Sequence, residues 1–173
     1  KGLRIAIHPG AGVLPVDAVG RRIAWNANPS LLIASKGRYF QGNGSSTYGT
    51  LSAVPELDTP TALTCFSIWL GDPAGDYFSL DDLRNNVGGK SWKWGRVSAI
   101  GGGGSGNLTQ QQFTLLGIAD YPSGSFSIAS KIQTPVAVSL NGTSLKFYEF
   151  GREVNSQTVS ASRTASAANL SIF

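Results

Sequence analysis

Alternation of apolar and polar positions dominates the chain. Leu3, Ile5 and Ile7 fall on one side of an extended segment, Arg4 and Ala6 on the other, up to a stop at His8-Pro9-Gly10. Short strand candidates follow at residues 23–25, 31–33 and 38–41, punctuated by Asn, Pro and Gly. Residues 63–70 read as a strong strand. Phe66, Ile68 and Leu70 share one face; Cys65, Ser67 and Trp69 share the other. Apolar residues on both faces predict a central strand covered on both sides. Residues 77–80, 91–100, 113–118 and 125–128 are further strand candidates, while 80–87 reads as a short helical turn at most.

The clearest local signal is Asn141-Gly142. Val136, Val138 and Leu140 alternate before it, Leu145 and Phe147 after it. Both central residues of a type I′ turn need φ > 0, which Asn and Gly tolerate best. A turn at Asn141-Gly142 pairs Val138 with Leu145 and Val136 with Phe147, and sends those four to the core. Ala137, Ser139, Lys146 and Tyr148 then cover the opposite face. A second turn at Phe150-Gly151 leads into residues 152–159, and Leu170 to Phe173 alternates again. No long stretch carries a helical period. Roughly ten short strands predict one all-β domain over residues 1–173, a two-sheet antiparallel β-sandwich of the jelly-roll kind.

Composition agrees. The chain has 173 residues, 41% hydrophobic, and only 14% charged, against about 25% in an average soluble domain. Gly, with 22 residues, and many Ser and Thr make up the difference and favour strands and tight turns. The net charge of +4 comes from scattered Lys and Arg, with Arg21-Arg22 the single adjacent pair. Nucleic-acid binders gather such charge on one face, so no nucleic-acid partner is expected. No segment reaches the roughly 18 apolar residues of a membrane helix, so no membrane insertion is expected. Cys65 is the one cysteine; lying in an apolar run, it reads as a buried free thiol.

The order of these pieces resembles the concanavalin A-like lectin/glucanase superfamily, in its laminin-G and pentraxin-like branch. Gly37-Arg38-Tyr39-Phe40-Gln41-Gly42-Asn43-Gly44-Ser45 is similar to an early strand and turn of that branch. Phe66-Ser67-Ile68-Trp69-Leu70 resembles its core strand. Val136 to Leu140, Asn141-Gly142 and Leu145-Lys146-Phe147-Tyr148-Glu149-Phe150-Gly151 resemble its most recognisable hairpin, and Leu170-Ser171-Ile172 the strand that comes next. The motifs encode packing and turns, so the resemblance implies a concanavalin A-like jelly roll and no particular chemistry. In the family a further strand usually follows and closes the sheet. Its place would fall to the segment from Leu3 to Ile7 or to a neighbouring chain.

Candidate chemistry is sparse. Family members with glucanase activity carry three acids on one strand, in a pattern like Glu-x-Asp-x-x-Glu. Here Glu56 and Asp58 stand without a third, and Pro60 follows where a central strand needs a donor. His8 has no evident nucleophile or acid partner. The run from Gly101 to Gly106 lacks the Gly-Lys-Ser/Thr ending of a phosphate loop. No catalytic residue and no enzyme activity are therefore expected. No cofactor is expected either; if an ion binds, Ca²⁺ at Asp72 and Asp76 is the candidate, although their spacing matches no EF-hand loop.

The best ligand-binding candidates are Trp92, Trp94 and Arg96, which alternation places on one face. Exposed aromatics stack on sugars and Arg bonds their hydroxyls or carboxylates. The alternative is that both tryptophans fill the core. Lys146 and Tyr148 join the candidate surface if their face of the hairpin is exposed. The expected function is a non-catalytic binding or assembly module of a bacteriophage virion (a fibre, spike or decoration protein). Its partners would be other virion proteins, copies of itself, or a cell-surface glycan. A secreted or cell-surface bacterial carbohydrate-binding or adhesin domain is the alternative. A glycoside hydrolase is disfavoured by the missing acid.

Overall fold

A computed structural model of the chain describes residues 24–26, 30–34, 37–41, 49–51, 57–70, 80–85, 91–98, 108–124, 128–129, 133–165 and 169–172. Fourteen strands run through them, and none of the described residues is α-helical. The strands are β1 (Ala24–Trp25), β2 (Ser30–Ala34), β3 (Gly37–Gln41), β4 (Gly49–Leu51), β5 (Ala62–Leu70), β6 (Leu80–Asn85) and β7 (Trp92–Ser98). They continue with β8 (Leu108–Leu115), β9 (Ala119–Pro122), β10 (Ile128–Ala129), β11 (Gln133–Asn141), β12 (Ser144–Glu149), β13 (Arg152–Thr158) and β14 (Leu170–Ile172). The chain is an all-β antiparallel sandwich, as its alternation predicts.

One sheet has eight strands, in the order β1-β4-β14-β6-β7-β8-β10, with β9 also pairing β8. The facing sheet has four, β13-β12-β11-β5, and β2 and β3 form a separate two-stranded ribbon. Leu80, Leu83 and the acids between them imitate a helical spacing, but β6 is a strand. Its ladder to β7 and β14 on its two sides overrides that local pattern. Both edges of β14 are likewise taken, by β4 and β6. The positions on both sides of β14 are therefore filled by described strands of this chain. The strand candidates at residues 3–7, 77–79 and 125–127 lie outside the described residues.

The β11–β12 hairpin forms with the predicted faces but a shifted register. Val138 faces Phe147, Leu140 faces Leu145 and Asn141 faces Ser144. The central turn residues are Gly142 and Thr143, and of these only Gly142 has positive φ, at 59°. That is the type II′ pattern, with Gly first. Asn141 stays in the ladder instead, opposite Ala62 of β5, and the Gly142 N–H donates to the Thr61 carbonyl at 2.7 Å. The shift keeps side-chain parity, so Val136, Val138, Leu140, Leu145 and Phe147 all point inward, each at most 2% exposed. The second turn falls at Phe150-Gly151 as expected, with φ of 50° and 76°.

The core lies between the two larger sheets. Trp92, Trp94, Phe113 and Leu115 of β7 and β8 join the inward residues of β11 and β12, with Cys65, Leu57 and Val159. Burying the thiol of Cys65 pushes its pKa up to about 12 and keeps it protonated. Residues 57–60 act as a strap over one end: the Asp58 carbonyl accepts from Ser91 Oγ at 2.8 Å and the Leu57 carbonyl from Trp92 Nε1 at 2.7 Å. Arg163 ties the hairpin's far end down, donating from Nη2 to the Gly142 carbonyl at 2.9 Å and from Nε to the Pro60 carbonyl at 3.2 Å.

Candidate binding surface

The structure does not present Trp92 and Trp94 as a platform. They are 1% and 2% exposed, on the inner face of the eight-stranded sheet. Trp92 stacks on Phe113, centroids 6.0 Å apart and planes 13° from parallel. The physical reason is simple: each indole carries a large apolar area and one N–H, and the interior satisfies both. Trp92 Nε1 reaches the Leu57 carbonyl, and Trp94 Nε1 donates to Gln111 Oε1 at 3.2 Å. The expectation of an exposed aromatic pair is therefore corrected. Arg96 stands opposite Gln111 in the β7–β8 ladder, and its side chain lies outside what is described.

Gln111 links the two sheets. Its Nε2 donates across the core to the Tyr148 carbonyl of β12 at 2.9 Å, while its Oε1 accepts from Trp94. It is fully buried, and its neighbour Gln110 is 2% exposed, with Oε1 accepting the Gly124 N–H at 2.9 Å. Glu149, next along β12, is 3% exposed. Its Oε1 has no hydrogen-bond partner. Desolvation raises its pKa above the ordinary carboxylate value, opposed by a hydrogen bond with Gln111.

Lys146 and Tyr148 sit elsewhere, on the outer face of the four-stranded sheet. The structure does not bring them together with the tryptophans. Lys146 Nζ donates to Glu153 Oε2 of β13 at 2.8 Å, and that bond raises the lysine's pKa. Tyr148 is half-buried and lies opposite Ala137 on one side and Glu153 on the other. Ala137 in turn faces Phe66 of β5, and Pro135 faces Ile68.

This outer face carries the most exposed large apolar residues among those described. Phe66 is 68% exposed and Ile68 58%. Phe150, at the tip of the β12–β13 turn, is 56% exposed, and its N–H donates to the Pro135 carbonyl at 2.9 Å. Phe66, Ile68, Pro135, Ala137, Tyr148 and Phe150 thus form a contiguous, largely apolar corner. The expected covering of both faces of β5 is corrected: among its described side chains Cys65 is buried, whereas Phe66 and Ile68 on the other face are exposed. Phe66, Ile68 and Phe150 were not among the sequence candidates. The signal for them was the doubly apolar pattern of residues 63–70 and a Phe where a tight turn prefers Asn or Gly.

Of the remaining candidates, Asp58 belongs to the strap, while Glu56, His8 and the Gly101–Gly106 run lie outside the described residues, as do Asp72 and Asp76. Among the described residues no three His, Cys, Asp or Glu side chains are grouped as a metal site would require.

No family model matches the chain, and no curated protein does. Solved structures do resemble it. The binding domain of Paraclostridial Mosquitocidal Protein 1 superposes with a TM-score of 0.70 at 11% identity, over 98% of this chain and 43% of that one. A crystal structure described as HCR/D-Sa-GBL1/C superposes with a TM-score of 0.62 at 9% identity, over 97% of this chain and 42% of that one. The chain thus spans less than half the length of either structure, and at these identities the likeness is one of fold: the same β-sandwich.

Proposed function

We propose that this chain is a non-catalytic attachment module whose partner is displayed on a cell surface. The observation that carries the reading is the exposed apolar corner at Phe66, Ile68 and Phe150, on a sheet whose opposite face is buried. Contiguous exposed apolar residues mark interaction sites on folded domains. The sandwich also resembles, over nearly its whole length, one described as a binding domain. A concanavalin A-like ancestry, drawn from the hairpin and core-strand motifs, is part of the same proposal. Display on a phage particle and secretion by a bacterium are two settings in which one such module would serve, and neither needs a cofactor.

The test is binding of the fluorescently labelled chain to intact cells. Saturable binding that is lost on changing Phe66 and Ile68 to Thr supports the reading. Saturable binding indifferent to that change moves the site elsewhere, and absence of binding to any cell type overturns it.

A further inference from the structure

We propose that Asn141 is a site of spontaneous deamidation that the folded hairpin holds in check, so that the chain keeps a covalent record of having unfolded. Asparagine is a thermolabile side chain. It is most so before glycine, whose missing Cβ leaves the following nitrogen free to approach. Asn141, Gly142 and Thr143 are all exposed, so water and base reach them.

The chemistry needs only water. The Gly142 nitrogen gives up its proton and attacks Asn141 Cγ. A C–N bond forms to close a succinimide ring, and the side-chain amide leaves as ammonia, taking up a proton. Water then opens the ring on one side or the other, to aspartate or to isoaspartate. Either product adds a negative charge, and isoaspartate also lengthens the main chain by one carbon.

The fold opposes the first step. The Gly142 N–H donates to the Thr61 carbonyl at 2.7 Å. Removing that proton would leave a nitrogen anion facing the lone pairs of a carbonyl oxygen, with no donor to stabilise it. Asn141 is paired on both sides, with Ala62 of β5 and Ser144 of β12, so its backbone is not free to rotate towards the ring geometry. Arg163 holds the other side of Gly142: Nη2 donates to the Gly142 carbonyl at 2.9 Å, and Nε to the carbonyl of Pro60, the neighbour of Thr61, at 3.2 Å. One guanidinium thus fixes both the turn and the segment that accepts its N–H. Unfolding removes all of these restraints together. Isoaspartate formed in that interval stays on refolding, at a position where the β5–β11–β12 register leaves no room for an extra backbone atom.

The experiment is incubation of the 173-residue chain at mildly alkaline pH, folded and in guanidinium chloride, followed by tryptic digestion and mass spectrometry. The peptide of residues 132–146 contains Asn141 and no other asparagine, which separates it from the second Asn-Gly pair at Asn43-Gly44. Deamidation of this peptide is expected in denaturant, and at least about tenfold more slowly in the folded chain, where it waits on local opening. Arg163→Gln should speed the folded-state reaction about threefold or more and leave the denatured rate unchanged.

Equal rates in the folded and denatured wild type would overturn the protection. An Asn141 that stays intact in denaturant would overturn the site itself. Both of these arms use the unaltered chain and stand whatever the variant does. A folded-state rate unchanged by Arg163→Gln, in a variant whose circular dichroism matches wild type, would overturn the part assigned to the guanidinium.

Discussion

Both faces of the four-stranded sheet carry large apolar residues, and those residues meet opposite fates. Inward, Val138, Leu145 and Phe147 are at most 1% exposed. Outward, Phe66 and Ile68 are more than half exposed, one residue out of step with the buried Cys65. Period-two alternation decides which residues travel together. It does not decide which set is covered when both are apolar. What decides is the partner sheet: the aromatic pair Trp92 and Trp94 fills the space on one side only.

That contrast can be broken most forcefully from inside. Phe147→Ala or Trp94→Ala should each cost about 3–5 kcal/mol of unfolding free energy, from lost burial and the cavity left behind. Urea titration followed by tryptophan fluorescence measures it for Phe147→Ala, and circular dichroism for Trp94→Ala. A loss below roughly 1 kcal/mol would mean that these rings are not enclosed.

Next in size is the link between sheets. Gln111→Met keeps the shape but leaves Trp94 Nε1 and the Tyr148 carbonyl without their partner. The expected cost is about 2–3 kcal/mol in the same titration, because buried polar groups left unmatched lose their full desolvation energy.

Glu149 sharpens the comparison with the opposite sign. Burial holds its folded pKa above the ordinary value of 4.5, so the fold prefers the neutral carboxyl. This group's favourable contribution is therefore complete below the unfolded-state value and is lost as pH rises through the raised folded one. Glu149→Gln mimics the neutral form and should add about 1 kcal/mol at neutral pH. The gain should fade in acid, where wild type is protonated too. Thermal unfolding of both proteins across pH tests the sign, and a gain that grows on acidification would refute the assignment.

The outer face should yield the smallest effect. Phe66→Thr is expected to change stability by no more than about 0.5 kcal/mol, since the ring is mostly in solvent already and Thr suits a strand. A loss as large as that of Phe147→Ala would show the two faces to be equally packed.

Most of the fold is legible in the residues, for identifiable reasons. Val136 to Phe147 announces its hairpin because alternation and a turn residue coincide. The register differs by a turn position because Gly alone takes the positive φ, leaving Asn141 to the ladder. The stretch from Leu108 to Gln112 gives no strand signal, since glutamines resemble a loop. Yet Gln110 and Gln111 are buried, each with its amide engaged. The site is less legible still. A tryptophan serves a core or a sugar platform with the same side chain, and only the second sheet distinguishes them. Phe150 is visible as an odd residue in a turn, but its exposure emerges from three-dimensional packing.

The pairing of β14 carries a consequence for how the molecule is made. β1 and β4 join β6, β7 and β8 through this one strand, whose partners lie far back in the chain at Gly49–Leu51 and Leu80–Asn85. Until Leu170–Ile172 has emerged from the ribosome, the eight-stranded sheet exists as two ribbons with unpaired facing edges. Closure over such sequence separations is slow. Until β14 pairs, the edges of β4 and β6 that it covers are open to mispairing with each other or with other chains.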